Sequence, residues 1–131
     1  MKSLLDINAI GKKRGKALEK VGVGSLEVLR KMDIDRVSEA TGIHKELLRH
    51  FRSIADLMLI PGVDQHISEA LVKNGISSFQ KLAKVEPERL KAVILGSIGK
   101  ETVREVYKDL GEKDFREWIH RAKDLSLLRK R

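Results

Sequence analysis

The chain repeats itself. Slid 53 positions along its own length, it places Leu4 on Leu57, Ile7 on Ile60, Ala17 on Ala70, Leu18 on Leu71, Lys20 on Lys73, Gly22 on Gly75, Ser25 on Ser78 and Leu29 on Leu82, with no gap. Ile10 with Val63, Val23 with Ile76 and Leu26 with Phe79 keep their apolar character. An apolar frame kept while the surface residues change is the mark of one supersecondary unit used twice. The repeat predicts two similar halves, 1–56 and 57–131, with no Pro/Gly/Ser-rich linker between them and therefore a closely joined pair of subdomains.

Each copy reads as the same string of elements. A short apolar segment enters a tight turn, Ala9-Ile10-Gly11 in the first copy and Pro61-Gly62-Val63-Asp64 in the second. A helix follows, Lys12 to Val21 or Gln65 to Asn74, and stops at Gly22 or Gly75, the residue type that closes helix C-termini. Ser25 and Ser78 are placed to cap a short connecting helix, because a serine oxygen can accept from a free first-turn N–H. A second hairpin comes next. In the first copy Asp33 or Asp35 caps a helix to about Ala40, Thr41-Gly42-Ile43 turns, and a helix runs from His44 to about Leu59. Its apolar residues Leu47, Leu48, Phe51, Ile54, Ala55 and Met58 recur at three and four. In the second copy Glu86-Pro87-Glu88 opens a helix to about Leu95, Gly96-Ser97-Ile98-Gly99 turns, and Lys100 to Leu110 is helical. A last amphipathic helix, Lys113 to about Arg129, has no counterpart and carries Phe115, Trp118, Ile119, Ala122 and Leu125.

Composition narrows the class. The chain has 131 residues and few aromatics, Phe51, Phe79, Phe115, Tyr107 and Trp118, so its core must be aliphatic side chains between helices. It has no cysteine, which excludes disulfides, thiolate metal sites and thiol nucleophiles and fits a reducing compartment. The longest apolar run, Leu57-Met58-Leu59-Ile60, is far below the ~20 residues of a membrane helix, and Met1 to Asp6 holds no signal-peptide apolar stretch. A cytoplasmic protein with no membrane role is expected. Lysine and arginine total 27 against 19 acids, a net charge of +8 at a pI near 9.8. That balance suits polyanions, and it also serves solubility alone.

The segments Ile7-Asn8-Ala9-Ile10-Gly11 with Gly15, Leu18 and Gly22, and Ile60-Pro61-Gly62-Val63 with Ala70, Leu71 and Gly75, resemble the helix-hairpin-helix motif: apolar, any, Gly, apolar, Gly, then a helix with small and apolar residues. Two such motifs joined by a connector helix form the double unit of DNA repair proteins, ligases and topoisomerases. Ala55 to Val63, followed by Trp118-Ile119 and Ala122-Lys123, resembles the repeat junction and tail of an uncharacterised prokaryotic family of tandem helix-hairpin-helix proteins. The resemblance implies an all-α fold of two tandem double helix-hairpin-helix units, a helical bundle like that of SAM and helix-hairpin-helix domains, with an extra C-terminal helix capping the second unit.

In hairpins of that class, the N–H groups of the Gly-apolar-Gly turn and of the next helix's first turn point at a phosphate. A helix N-terminus offers unpaired donors and a partial positive charge. Ile10 and Gly11 followed by Lys12, Lys13, Arg14 and Lys16, with Lys20 a turn further, are the best candidate. Ala9 replaces the motif's first glycine. In the second copy Asp64, Gln65, Ile67 and Glu69 stand at the places of Gly11, Lys12, Arg14 and Lys16, and a carboxylate there caps its own helix and repels phosphate, so that hairpin reads as structural. Gly42 with Lys45, and Gly99 with Lys100, are secondary candidates, each beside an acid, Glu46 or Glu101. Arg129-Lys130-Arg131 reads as a frayed basic terminus that can add attraction. Trp118 and Phe115 read as core.

Enzyme signatures are missing. His44, His50, His66 and His120 have no ligand spacing, and there is no phosphate loop, nucleophile elbow or dinucleotide fingerprint. The expectation is a non-enzymatic module without cofactor or metal that binds double-stranded DNA through its phosphates, independent of sequence. The alternative is a protein–protein interaction adaptor with no nucleic-acid role.

Overall fold

The computed structural model describes residue 7 and residues 9–129; Leu4, Asn8, Lys130 and Arg131, which enter the sequence reading, lie outside the described residues. Among the described residues the fold is all-helical: α1 Gly11–Lys20, α2 Leu26–Lys31, α3 Ile34–Thr41, α4 Lys45–Leu57, α5 Gln65–Lys73, α6 Phe79–Ala83, α7 Pro87–Ile98, α8 Lys100–Val106 and α9 Glu112–Arg129. The chain divides into two compact units between Asp56 and Leu57.

The 53-residue repeat survives in the backbone bonding. Ile10 N donates to Ile7 O at 3.1 Å and Val63 N to Ile60 O at 3.0 Å. After the first helix of each unit, Val23 N donates to Leu18 O and Ile76 N to Leu71 O, both at 2.9 Å, beside Gly22 and Gly75 at φ 89° and 86°. Ser25 Oγ accepts from Val28 N at 3.3 Å, and Ser78 Oγ from Lys81 N at 3.2 Å, as N-caps of α2 and α6. Leu18, Leu29, Leu71 and Leu82 are fully buried. The apolar residues that match between the copies are thus the ones whose burial drives each unit to fold.

In unit 1, α3 is capped by Asp33, whose side chain accepts from Arg36 N at 3.3 Å; Asp35 has no capping role. Helix α4 is strongly amphipathic and buries Leu48, Phe51, Ile54 and Ala55. The expected continuation of this helix to Leu59 is not found: it ends at Leu57, and the following residues turn toward Gly62. Arg30 on α2 donates from Nε to Asp56 Oδ1 at 2.9 Å, with the carboxylate 7% exposed, so a low-dielectric ion pair fastens α4 to the connector.

Unit 2 encloses its own core of Leu57, Ile60, Val63, Ile67, Leu71, Ile76, Phe79, Leu82, Leu90 and Ile94, closed by Phe115, Trp118, Ile119 and Ala122 of α9. Helix α9 packs on α6 and α7. Two boundaries differ from the sequence reading. Helix α7 continues through Gly96 and Ser97 to Ile98, and only Gly99 breaks it. Ser97 Oγ accepts from Asn74 Nδ2 at 2.9 Å, and Asn74 Nδ2 also donates to Ala70 O at 2.7 Å, so the end of α5 holds this turn of α7 in helical register. Helix α8 stops at Val106 instead of Leu110, where Tyr107 leaves the helix.

Tyr107 makes the bond that no local pattern announces: its hydroxyl donates to Asp64 Oδ2 at 2.6 Å, across 43 residues. Burial, and then the carboxylate that accepts the hydrogen bond, raise the phenol above its ordinary pKa of 10.0. A group whose pKa rises on folding contributes its stability below the unfolded value and loses it as pH climbs toward the folded one. Unit 2 therefore keeps the full contribution below pH 10.0 and weakens above it. The chain has one tyrosine, so the phenolate absorbance reports this group alone. The native protein should titrate at higher pH than the urea-unfolded chain, and Tyr107→Phe should cost about 1 kcal/mol and flatten the alkaline loss of stability. Coincident native and unfolded titrations would contradict the bond.

Candidate nucleic-acid interface

The first turn is anchored through Ile10. Ile10 has helical dihedrals, φ −72° and ψ −45°, and its side chain is 1% exposed in the core of unit 1. Of the candidate residues it therefore offers backbone only. Gly11, the first residue of α1, has φ 78°, where an L side chain is strained, and open space lies where its Cβ would stand. Among the described residues no side chain caps α1, and its first turn has no acid.

Lys12, Lys13, Arg14, Lys16 and Lys20 are all exposed, and none forms an ion pair among the described residues. With about 3.6 residues per turn, Lys12, Lys13, Lys16 and Lys20 fall within one arc of about 100°, while Arg14 points to another side, beside the buried stripe of Leu18. Gly15 and Leu18 are the buried residues of the helix. One face of α1 is thus cationic because the opposite face supplies the packing.

The equivalent hairpin of unit 2 is closed. Its positive-φ glycine is Gly62, at φ 90°, which aligns with Ala9 and not with Gly11. A Cβ there would lie 3.0 Å from Trp118 Nε1, so the indole of α9 lies against the turn. Trp118 is 2% exposed and meets Phe115 edge-on at 5.5 Å between ring centroids. Asp64 takes the N-cap of α5: Oδ1 accepts from Ile67 N at 2.9 Å while Oδ2 holds Tyr107. Ile67, at the place of exposed Arg14, is fully buried. A carboxylate occupies the donors that a phosphate would need, and its charge repels one.

The two secondary candidates differ from the first as well. Gly42, at φ 77°, ends α3, and its turn is stitched by Ser38 Oγ donating to Ile43 O at 2.6 Å and Thr41 Oγ1 donating to Val37 O at 2.7 Å. His44 Nδ1 accepts from Glu46 N at 3.2 Å, so an imidazole caps α4, and Lys45 Nζ lies 3.1 Å from Asp35 Oδ1. Arg49 pairs with Glu46. Gly99, at φ 99°, joins α7 to α8 with no side-chain cap, and Lys100 is exposed; α8 has only seven residues. The hairpins are dispersed over two units: Ile10 to Lys16, Gly42 and Lys45 belong to unit 1, and Gly99 and Lys100 to unit 2.

No group of three or more His, Asp or Glu side chains among the described residues is arranged to hold a metal ion, and no helix among them is long and apolar enough to cross a membrane. Neither the curated proteins nor the solved structures contain a match to the chain. A family match spans residues 8–125, across most of both units, and by it the chain belongs to the family described as a domain of unknown function, DUF4332.

Proposed function

We propose that each unit is a double helix-hairpin-helix unit and that the protein is a non-enzymatic module that binds the phosphate backbone of double-stranded DNA without sequence preference. Contact is through the backbone of Ile10 and Gly11 and the side chains of Lys12, Lys13, Arg14 and Lys16. The observation that carries this reading is the contrast between the two equivalent turns. One opens uncapped into a cationic helix, and the other is filled by Asp64 and covered by Trp118. A turn kept free of its own cap has donors to give, and a helix N-terminus with adjacent lysines gives them to anions. Gly42 with Lys45 and Gly99 with Lys100 are secondary contacts in this reading.

One observation favours the adaptor reading instead. Unit 1 carries an open groove of about 700 Å³ in which Val21, Val23, Val28, Met32 and Val37 are joined by Glu27, Lys31, Asp33 and Arg36, and in which Val21 and Val28 are about 40% exposed. Binding of the full chain to a short labelled DNA duplex across a salt series separates the two. Log affinity that falls linearly with log salt, equally for unrelated sequences, supports the phosphate reading. No binding at low salt sinks it and turns attention to the groove.

A further inference from the structure

Asn74 is followed by glycine, whereas the chain's other asparagine, Asn8, is followed by alanine. An asparagine side chain can be attacked at Cγ by the backbone nitrogen of the next residue, and glycine, with no Cβ, hinders that approach least. The attack forms a bond from Gly75 N to Asn74 Cγ. The Cγ–Nδ2 bond breaks, and the nitrogen leaves as ammonia with the proton given up by Gly75 N. Water then adds to either carbonyl of the cyclic imide and opens it, to aspartate or to isoaspartate, in which the main chain runs through the side chain.

The fold withholds each part of this reaction. Asn74 is the C-cap of α5, and its ψ of 19° turns the Gly75 nitrogen away from the Asn74 side chain, whereas closing the imide ring needs the two side by side. Gly75 N is engaged as a donor to Val72 O at 3.1 Å. Nδ2, the leaving nitrogen, uses both of its N–H groups, one on Ala70 O at 2.7 Å and one on Ser97 Oγ at 2.9 Å. The backbone here is that of the repeat, since Val21, at the same place in unit 1, has φ −103° and ψ 18° against −98° and 19° for Asn74. Unit 2 puts an asparagine on that backbone and ties its side chain to α7.

We propose that Asn74-Gly75 is a site of spontaneous modification gated by the folding of unit 2: closed while α5 holds the end of α7, and open to deamidation when that contact is released. The change is one-way. A carboxylate at position 74 has no N–H to give to Ala70 O, and its charge stands at the C-terminus of α5, the negative end of the helix dipole. The product cannot rebuild the pair of bonds that keeps Gly96 and Ser97 helical, so an opening that reacts leaves the end of α7 loosened and a permanent mark on the chain.

The test is incubation of the full chain at mildly alkaline pH, native and in urea, with the modified fraction of Asn74 followed by peptide mass mapping. Modification through rare opening tracks the population of the open state, so the native rate should be at least about tenfold below the unfolded one. Ser97→Ala, at an exposed position, removes one partner of Nδ2 and should raise the native rate severalfold with the unfolded rate unchanged. Ser97→Thr keeps the hydroxyl and should restore the slow rate. Equal native and unfolded rates in the wild type overturn the proposal. A native rate that Ser97→Ala leaves unchanged also overturns it, because protection then lies in the backbone turn alone. So does an acceleration that Ser97→Thr fails to reverse, which makes general loosening of α7 the cause in place of the hydrogen bond.

Discussion

Replacing Lys12, Lys13, Arg14 and Lys16 together by glutamine is expected to weaken duplex binding by about tenfold or more at low salt and to flatten the salt slope by about 2.7, since each phosphate neutralised contributes roughly 0.9 to it and the three lysines share one arc of α1. All four side chains are exposed and leave the core untouched, so stability should move by no more than about 0.5 kcal/mol for each substitution. Anisotropy with a labelled duplex reads the first quantity and urea denaturation the second. An unchanged slope would remove α1 from the interface. Charge removal is a cleaner probe than copying aspartate into position 11, because Gly11 has φ 78° and its equivalent in unit 2, Asp64, has φ −87°. The copies place their strained glycine two positions apart, so Gly11→Asp would import backbone strain along with the carboxylate.

Trp118→Ala should cost about 3–5 kcal/mol, the range for deleting a buried large aromatic. The indole is 2% exposed, meets Phe115 and lies over the Gly62 turn, so its loss leaves a cavity at the point where α9, the turn and the core of unit 2 come together. Trp118 is the only tryptophan, which makes far-UV circular dichroism in urea the appropriate reading. Gly62→Ala attacks the same contact from the other side, adding a Cβ 3.0 Å from Nε1 at a residue with φ 90°, and should destabilise in the same direction. A cost below about 1 kcal/mol for Trp118→Ala would place the ring outside the well-packed interior. Weaker duplex binding at unchanged stability would instead make the ring a base-stacking group.

What could be read from the sequence is what depends on near neighbours. The caps at Ser25, Ser78 and Asp33, the stops at Gly22, Gly42 and Gly75, and the buried stripe of α4 follow from spacings of three and four residues. The same period places Trp118 and Phe115 in the core, where both are buried. What could not be read depends on partners far along the chain. Gly96 and Ser97 look like a turn in isolation and are helical because Asn74, 23 residues away, holds Ser97. Tyr107 ends α8 early and bonds to Asp64 across 43 residues, and Arg30 finds Asp56 across 26. In the first hairpin the charge was visible as a run, but the sorting of Arg14 away from the lysine arc required the helix axis.

The repeated backbone frame makes this chain its own reference. Two turns with matching hydrogen bonds, one ending in Gly11 and the other in Asp64, sit in the same tube at the same concentration, temperature and ionic strength. Any ligand that acts on the protein as a whole, by ionic strength or by loosening the fold, should move both turns together. One that recognises an uncapped helix start should move α1 and spare α5, so the difference between two amides in a single spectrum separates recognition from mere attraction.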